Sequence, residues 1–213
     1  LHWTQNNLTN PGLRHAIRDF WKNEEINTEK GIRKVQDEFH WQLGKVLSYL
    51  KENLSPIEFS YILGLDPMNE PVDGGFMGLS PYEWSKNYHW PFYVKAKQIM
   101  DKNGWEDKIL FFEPLVFWNT NISFLKTGRG YYPVKEKDNF SFNTHFYDAK
   151  RMGGLSFKKL NTSTYMKNFD EIRNESFEHN TPSFVSEFGW PIIGKGKKDS
   201  HAIIKSMKEA MML

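Results

Sequence analysis

Two glutamates sit where chemistry is possible. Glu70 lies in Asn69-Glu70-Pro71 and Glu187 in Ser186-Glu187-Phe188-Gly189, each at the C-terminal end of an apolar run. Two carboxyl groups held across one bond can cleave a glycoside, because one protonates the departing oxygen while the other attacks the anomeric carbon or activates water. Glu70 suits the acid. A glutamate at the mouth of a hydrophobic strand loses part of its hydration, which raises its pKa toward working pH, and the Asn69 amide beside it can bond a sugar hydroxyl. Glu187 suits the nucleophile, provided that a neighbour such as Tyr147 donates a hydrogen bond that steadies the ionised form. The ordinary alternative for both is an ion-paired glutamate with no catalytic role.

The elements that must bring these residues together follow from periodicity and turn signals. Leu13, Ile17, Phe20 and Trp21 fall at helical spacing after Asn10-Pro11-Gly12, and a longer helix is expected from about Glu29 to Glu52. The segment Phe59–Leu65, after Pro56, reads as a buried strand that delivers Asn69 and Glu70. Ser80-Pro81-Tyr82-Glu83 is a capping box with proline in the first turn, opening a helix that should stop at Gly104 and be kinked at Pro91. Lys108–Pro114 is a second strand, ending at Glu113. An irregular stretch from Leu115 to about Asp138 follows, and then a third strand, Phe140–Asp148, that carries His145 and Tyr147. A helix from about Ser163 to His179, a fourth strand over Thr181–Val185 leading to Glu187, and a helix from Ser200 complete the order. Strands alternating with helices imply βαβ units and a parallel sheet. The polar residues gather at the C-terminal strand ends, where sites lie in (β/α)₈ barrels and doubly wound sheets alike.

Composition narrows the classes. With 213 residues the chain can build one core, and residues 1–213 read as one domain. Lys plus Arg number 28 against 26 Asp plus Glu, with the cations scattered, so a nucleic-acid partner is not expected. Aromatics make up 16% of the chain, enough for a large core and for stacking on sugar rings. Trp118 and Trp190, near strand ends, are the stacking candidates, while Trp3 and Trp105 read as packing. No cysteine is present, which excludes disulfides and thiolate metal sites. His2, His40, His89, His179 and His201 lack metal-ligand spacing and read as surface or capping residues, and no metal or cofactor is implied. Glu113 is a candidate substrate ligand or an ion-pair partner within the fold, and Lys195–Lys198 a solvated loop able to touch an anionic membrane. Six Asn-x-Ser/Thr sequons, at Asn7, Asn53, Asn121, Asn139, Asn161 and Asn174, against about two expected by chance, lean toward a secreted or lysosome-like protein. No run is long and apolar enough to span a bilayer, and a chain beginning at Leu1 reads as a processed product or a piece of a longer protein.

Ile62–Pro71, Phe142–Asp148 and Phe184–Gly189 together resemble the signature regions of glycoside hydrolase family 5, retaining enzymes on a (β/α)₈ barrel. The resemblance implies that Glu70, in the Asn-Glu-Pro motif after strand four, is the acid/base, with Asn69 binding the sugar hydroxyl beside the scissile bond. It implies that His145 lines the site, that Tyr147 bonds the nucleophile, and that Glu187, after strand seven, is that nucleophile. Phe20-Trp21, Gly64–Pro71 and Phe111-Phe112-Glu113-Pro114 are similar to the endoglycoceramidase and glycosylceramidase branch. That branch cleaves β-glucosidic linkages of glycolipids, and Phe76-Met77 and Phe111–Phe117 either help form a groove for a lipid tail or belong to the core. A family 5 glucanase or mannanase acting on polysaccharide is the alternative, and a silent carbohydrate-binding protein on the same scaffold the alternative from another class. The resemblance aligns with strands four to seven only. The first three strands and the eighth, with an Arg, a His and an aromatic platform that the family carries on them, have no counterpart here. A closed barrel needs eight strands, so the rest is expected from elsewhere in the protein.

Overall fold

The computed structural model describes residues 6–7, 9–75, 78–135, 138–155, 160–190 and 199–213. Phe76, Met77, His2, Trp3 and the Lys195–Lys198 cluster lie outside the described residues. Four strands form one parallel sheet in sequence order: β3 (Gly64–Leu65), β4 (Ile109–Phe112), β5 (Phe140–Tyr147) and β6 (Ser183–Gly189). Helices α1 (Pro11–Lys22), α2 (Val35–Asn53), α3 (Pro56–Ser60), α4 (Pro81–Trp84), α5 (Trp90–Lys102), α6 (Ala149–Met152), α7 (Met166–Glu178) and α8 (Ser200–Met212) alternate with them, and a separate hairpin pairs β1 (Glu25–Thr28) with β2 (Gly31–Lys34). The expected parallel α/β architecture is present as half of a barrel.

The pleat sorts side chains between two faces. Phe112, Phe142 and Phe146 point toward the helices and are fully buried; Phe142 meets Trp118 edge-on at 5.2 Å, and Phe146 meets Phe169 at 5.1 Å. Asn143, His145 and Tyr147 alternate with them and occupy the opposite face, which is the interior of the half-barrel. This face is open. Phe184 on β6 and Leu63 beside β3 are 41% and 57% exposed, and the outer edges of β3 and β6 are unpaired among the described residues. An isolated sheet with such edges would invite further strands, such as the other half of a barrel supplies. Much of the 16% aromatic content belongs to the core: Trp84, Trp105, Tyr93, Phe92 and Tyr165 are among the largest fully buried side chains.

Three element assignments need correction. Phe59–Leu65 is not one strand, because Ser55 and Glu58 close a capping box that turns Pro56–Ser60 into helix α3 and leaves only Gly64–Leu65 in the sheet. The long helix begins at Val35 rather than Glu29, since Gly31 at φ 97° turns a hairpin in which Ile32 is exposed. The last strand runs to Gly189, so Glu187 stands within it. The capping box at Ser80 and Glu83 forms as expected, and the irregularity at Pro91 takes the form of a π-helical turn, Ser85–His89, immediately before α5. No helix or strand occurs between β4 and β5 among the described residues. His40 and His89 are not surface residues: His89 bonds the Tyr132 hydroxyl inside an aromatic cluster with Trp84, and burial lowers its pKa to about 3.

Glycine at one position is decisive for the site. A Cβ on Gly64 would sit 2.1 Å from the Ile109 carbonyl oxygen, so only glycine lets β3 approach β4 at the base of the Asn69-Glu70 loop. That loop is then held from both sides. Trp21 of α1 donates its indole N–H to the Val72 carbonyl at 2.7 Å, and the Val116 amide donates to the Pro71 carbonyl at 3.0 Å.

Candidate active site

The C-terminal strand ends bring four expected residues together. The Tyr147 hydroxyl donates to Glu187 Oε2 at 2.9 Å. His145 Nδ1 lies 2.9 Å from Glu70 Oε1 and 3.5 Å from Glu187 Oε2. One carboxylate oxygen of Glu70, one of Glu187 and a nitrogen of His145 all lie within 4.8 Å of one another. Asn69 is exposed beside Glu70. Burial, followed by the hydrogen bond to Glu187 and its charge, pushes the Tyr147 phenol up to about 12, so it stays a donor across neutral pH.

A β-bulge makes this meeting possible. Thr144 pairs with Val185, but the next residue, His145, pairs with Glu187, leaving Ser186 as the extra residue. In a regular ladder Glu187 would point to the helices with Val185, because side chains alternate; the bulge turns it to the face of His145 and Tyr147. The Ser186 amide is not wasted, for it donates to Asn143 Oδ1 at 3.1 Å.

Glu70 is the second irregular point. It is a non-glycine residue at φ 49°, in the left-handed region, a conformation that costs on the order of 1–2 kcal/mol for an L-residue. Its backbone N–H donates to Glu113 Oε2 at 2.9 Å, a charge-assisted bond of about 1.5–3 kcal/mol that offsets the cost. Glu113 is therefore not a cleft-facing substrate ligand. It is 3% exposed, and the space it borders beside Glu70, Thr144 and His145 is only about 10 Å³, room for at most one water and not for a sugar. Its other oxygen faces His145 Nε2 at 3.1 Å and the Asn143 amide at 3.2 Å, so the ion-pair alternative describes it. Trp118 needs correction too, since at 5% exposed against Phe142 it has no face left for a sugar. Phe112 is core packing rather than part of a lipid groove. Trp190 is half-buried against the core, one residue past the end of β6.

Asp66 and Asn143 were not among the expected site residues, yet both belong to the floor. The Asn143 amide donates to Asp66 Oδ2 at 2.8 Å. Burial, then the charge of Glu113 and a hydrogen bond shared with it, push Asp66 up to about 8. Burial alone would lower the pKa of His145, but hydrogen bonds to Glu113 and Glu70 and the charges of Glu113 and Glu187 outweigh it and carry it to about 10. Near neutral pH His145 is therefore an imidazolium facing the carboxyl groups of Glu70, Glu113 and Glu187.

Both shifts have the same sign for stability. His145 binds its proton more tightly folded than unfolded, so the stability it contributes is fully present below its ordinary 6.5 and is lost as pH rises through about 10. Asp66 likewise binds a proton more tightly when folded, so stability also falls as pH rises from 3.8 through about 8. The melting temperature of the full-length protein should therefore decline steadily from neutral to alkaline pH, and Asp66→Asn should flatten the part of that decline below about 8. Thermal unfolding followed across this range checks it; a melting temperature independent of pH would show that the two groups titrate normally.

A family profile for cellulase (glycosyl hydrolase family 5) matches residues 58–212, which takes in every residue of this site. The chain belongs to glycosyl hydrolase family 5. Among solved structures it is similar to endo-glycoceramidase II from Rhodococcus sp. in a cellobiose-like imidazole complex, with a TM-score of 0.61 at 17% identity over 94% of this chain and 42% of that one. The same protein in its ganglioside GM3 complex gives 0.55 at 16% identity, over 81% and 36%. A family 5 xyloglucan-specific endo-β-1,4-glucanase from a metagenomic library, XEG5A, with cellotriose, gives 0.55 at 12% identity, over 98% and 56%. No curated protein matches the sequence. At these identities the likeness establishes the (β/α)₈ fold, and this family 5 chain spans less than half the length of endo-glycoceramidase II.

Proposed function

We propose that the full-length protein is a retaining β-glycosidase that hydrolyses β-glucosidic linkages of glycolipids by double displacement. The observation that carries the reading is the meeting of Glu70 and Glu187 across His145, with Tyr147 on Glu187, their nearest oxygens within 4.8 Å. Carboxyl groups about 5–5.5 Å apart favour direct attack by one of them, whereas inversion needs about 6.5–9.5 Å to admit a water between. Glu187 attacks the anomeric carbon and forms an ester as the bond to the leaving oxygen breaks. Glu70 gives that oxygen its proton. Water then attacks the same carbon, returns a proton to Glu70 and frees Glu187, so the configuration is kept. Asn69 meets a sugar hydroxyl, and Trp190 stacks on a ring at the rim.

Glycolipid is preferred because Phe20-Trp21, Gly64–Pro71 and Phe111-Phe112-Glu113-Pro114 resemble the endoglycoceramidase branch, while endo-glycoceramidase II matches with a TM-score of 0.61 or 0.55 according to its complex, against 0.55 for the glucanase. The polysaccharide reading keeps one observation in its favour, the match to the glucanase over 98% of the chain. Assay of the full-length protein on glucosylceramide, lactosylceramide, cellooligosaccharide and mannan, with the first-formed anomer read by NMR, separates them. Turnover of the ceramide glycans to the β-anomer is the expected result; a first-formed α-anomer would end the retaining assignment, and turnover of cellooligosaccharide alone would end the glycolipid one. We also propose secretion, on the exposed sequons at Asn53, Asn139, Asn161 and Asn174, which a loss of mass on enzymatic deglycosylation would test.

A further inference from the structure

Beneath Glu70 lies a buried polar floor that the double displacement does not use. Both oxygens of Glu113 are committed to the arm above: Oε2 to the Glu70 backbone N–H at 2.9 Å, and Oε1 to His145 Nε2 at 3.1 Å. The same Oε1 accepts from the Asn143 amide at 3.2 Å, and Asn143 Oδ1 accepts from the Ser186 amide at the bulge that aims Glu187. The Glu113 amide donates to the Tyr93 hydroxyl at 3.0 Å, which ties it to α5. One buried carboxylate thus fixes the backbone of Glu70, the ring of His145 and, through Asn143, the strand of Glu187.

We propose that Glu113 is the positioning residue of the acid/base, holding Glu70 in its left-handed conformation and presenting His145 to Glu70 Oε1 so that the transferable proton sits on Oε2. This rests on the reading of Glu70 as the acid. Held as an imidazolium near neutral pH, His145 donates from Nε2 to Glu113 at 3.1 Å and from Nδ1 to Glu70 Oε1 at 2.9 Å. An oxygen that accepts this bond carries the lone pair, so a protonated Glu70 must hold its proton on the other oxygen. Without Glu113, His145 loses its second partner and can turn or switch tautomer, and Glu70 loses the bond that offsets its backbone strain.

The groups facing Glu113 make the arrangement self-consistent. They are Asp66 from the end of β3, Glu70 from the following loop, Tyr93 from α5, and Asn143 and His145 from β5; Glu187 on β6 reaches it through His145. Two buried carboxylates side by side cannot both ionise cheaply. Asp66 therefore keeps its proton near neutral pH, as His145 keeps its own.

Two substrates with one glycone separate positioning from general damage. An alkyl β-glucoside needs a proton on its leaving oxygen, whereas a 2,4-dinitrophenyl β-glucoside departs without one. In the full-length protein, Glu113→Gln should lower kcat/KM, which reports the first, bond-breaking step, by about 10²-fold on the alkyl glucoside and by at least about tenfold less on the dinitrophenyl glucoside. Glu113→Asp, which keeps the charge, should recover part of the loss. Equal losses on both substrates, or none on the alkyl glucoside, would overturn the proposal. Should Glu113→Gln not fold, nitrogen NMR of the unmutated protein decides: His145 should carry protons on both ring nitrogens at a pH near 8, and a neutral ring there would overturn it. Glu70→Gln runs alongside. If it keeps full activity on the alkyl glucoside, the acid assignment itself fails; if it loses activity and Glu113→Gln does not, only the positioning role falls.

Discussion

Glu187→Gln in the full-length protein should reduce turnover by on the order of 10⁴-fold or more on every glucoside, whatever its leaving group. Glutamine fills the same volume and can still accept the Tyr147 hydroxyl now 2.9 Å from Oε2, so the fold and sugar binding should survive. What disappears is the negative oxygen that bonds to the anomeric carbon. Tyr147 sharpens the expectation, because with its pKa at about 12 it serves as a donor steadying the carboxylate and cannot replace it as the nucleophile near neutral pH. A fluorinated glucoside that forms the ester but releases it slowly should label Glu187 in the unmutated protein, detected by mass spectrometry of its peptide, and should label nothing in Glu187→Gln. Full activity in the variant, or a label elsewhere, would remove Glu187 from the chemistry.

The outline of this site is legible in the sequence because its main signals are local. Asn69-Glu70-Pro71 after a short apolar segment, His145 and Tyr147 two apart near the end of one strand, and Glu187 before Phe188-Gly189 each declare a polar strand end without reference to the rest of the chain. The bulge is not legible. Whether Glu187 or Ser186 stands opposite His145 is set by the register between β5 and β6 and by the bond from the Ser186 amide to Asn143, neither of which has a pattern within Thr181–Gly189. The floor is hidden for a related reason. Glu113 reads as a strand-end carboxylate like the other two, and only the left-handed turn at Glu70, which brings a backbone N–H down onto it, makes it a buried anchor. Asn143 could have been found, since it shares the face of His145 and Tyr147 at a spacing of two. The misplaced start of the sheet has the opposite cause: a legible capping box at Ser55 and Glu58 outweighs an apolar run that looks like a strand.

Glu70→Gln should leave a different signature from Glu187→Gln, and the difference carries the assignment of roles. The loss should reach about 10²–10⁴-fold on a natural or alkyl glucoside, the share of the rate that general acid–base catalysis supplies. On the dinitrophenyl glucoside the first step should barely suffer, since that leaving group needs no proton, whereas the second step should slow because water has lost its base. The expected trace is a burst of dinitrophenol followed by a slow phase, with the ester on Glu187 accumulating between the two. Glu70→Ala adds a direct check, because azide is already an anion and needs no base. It should attack the ester in place of water, restore turnover of the dinitrophenyl substrate and give a β-glucosyl azide. The prediction depends on the structure at one point. His145 donates to Glu70 Oε1 at 2.9 Å, so the glutamine amide nitrogen is forced to the Oε2 position, where it offers an N–H in place of the acid proton without being able to release it. A Glu70→Gln variant that hydrolysed both substrates at the unmutated rate would place the acid elsewhere, and a loss in the first, bond-breaking step that was equal on both would mark Glu70 as a binding residue instead.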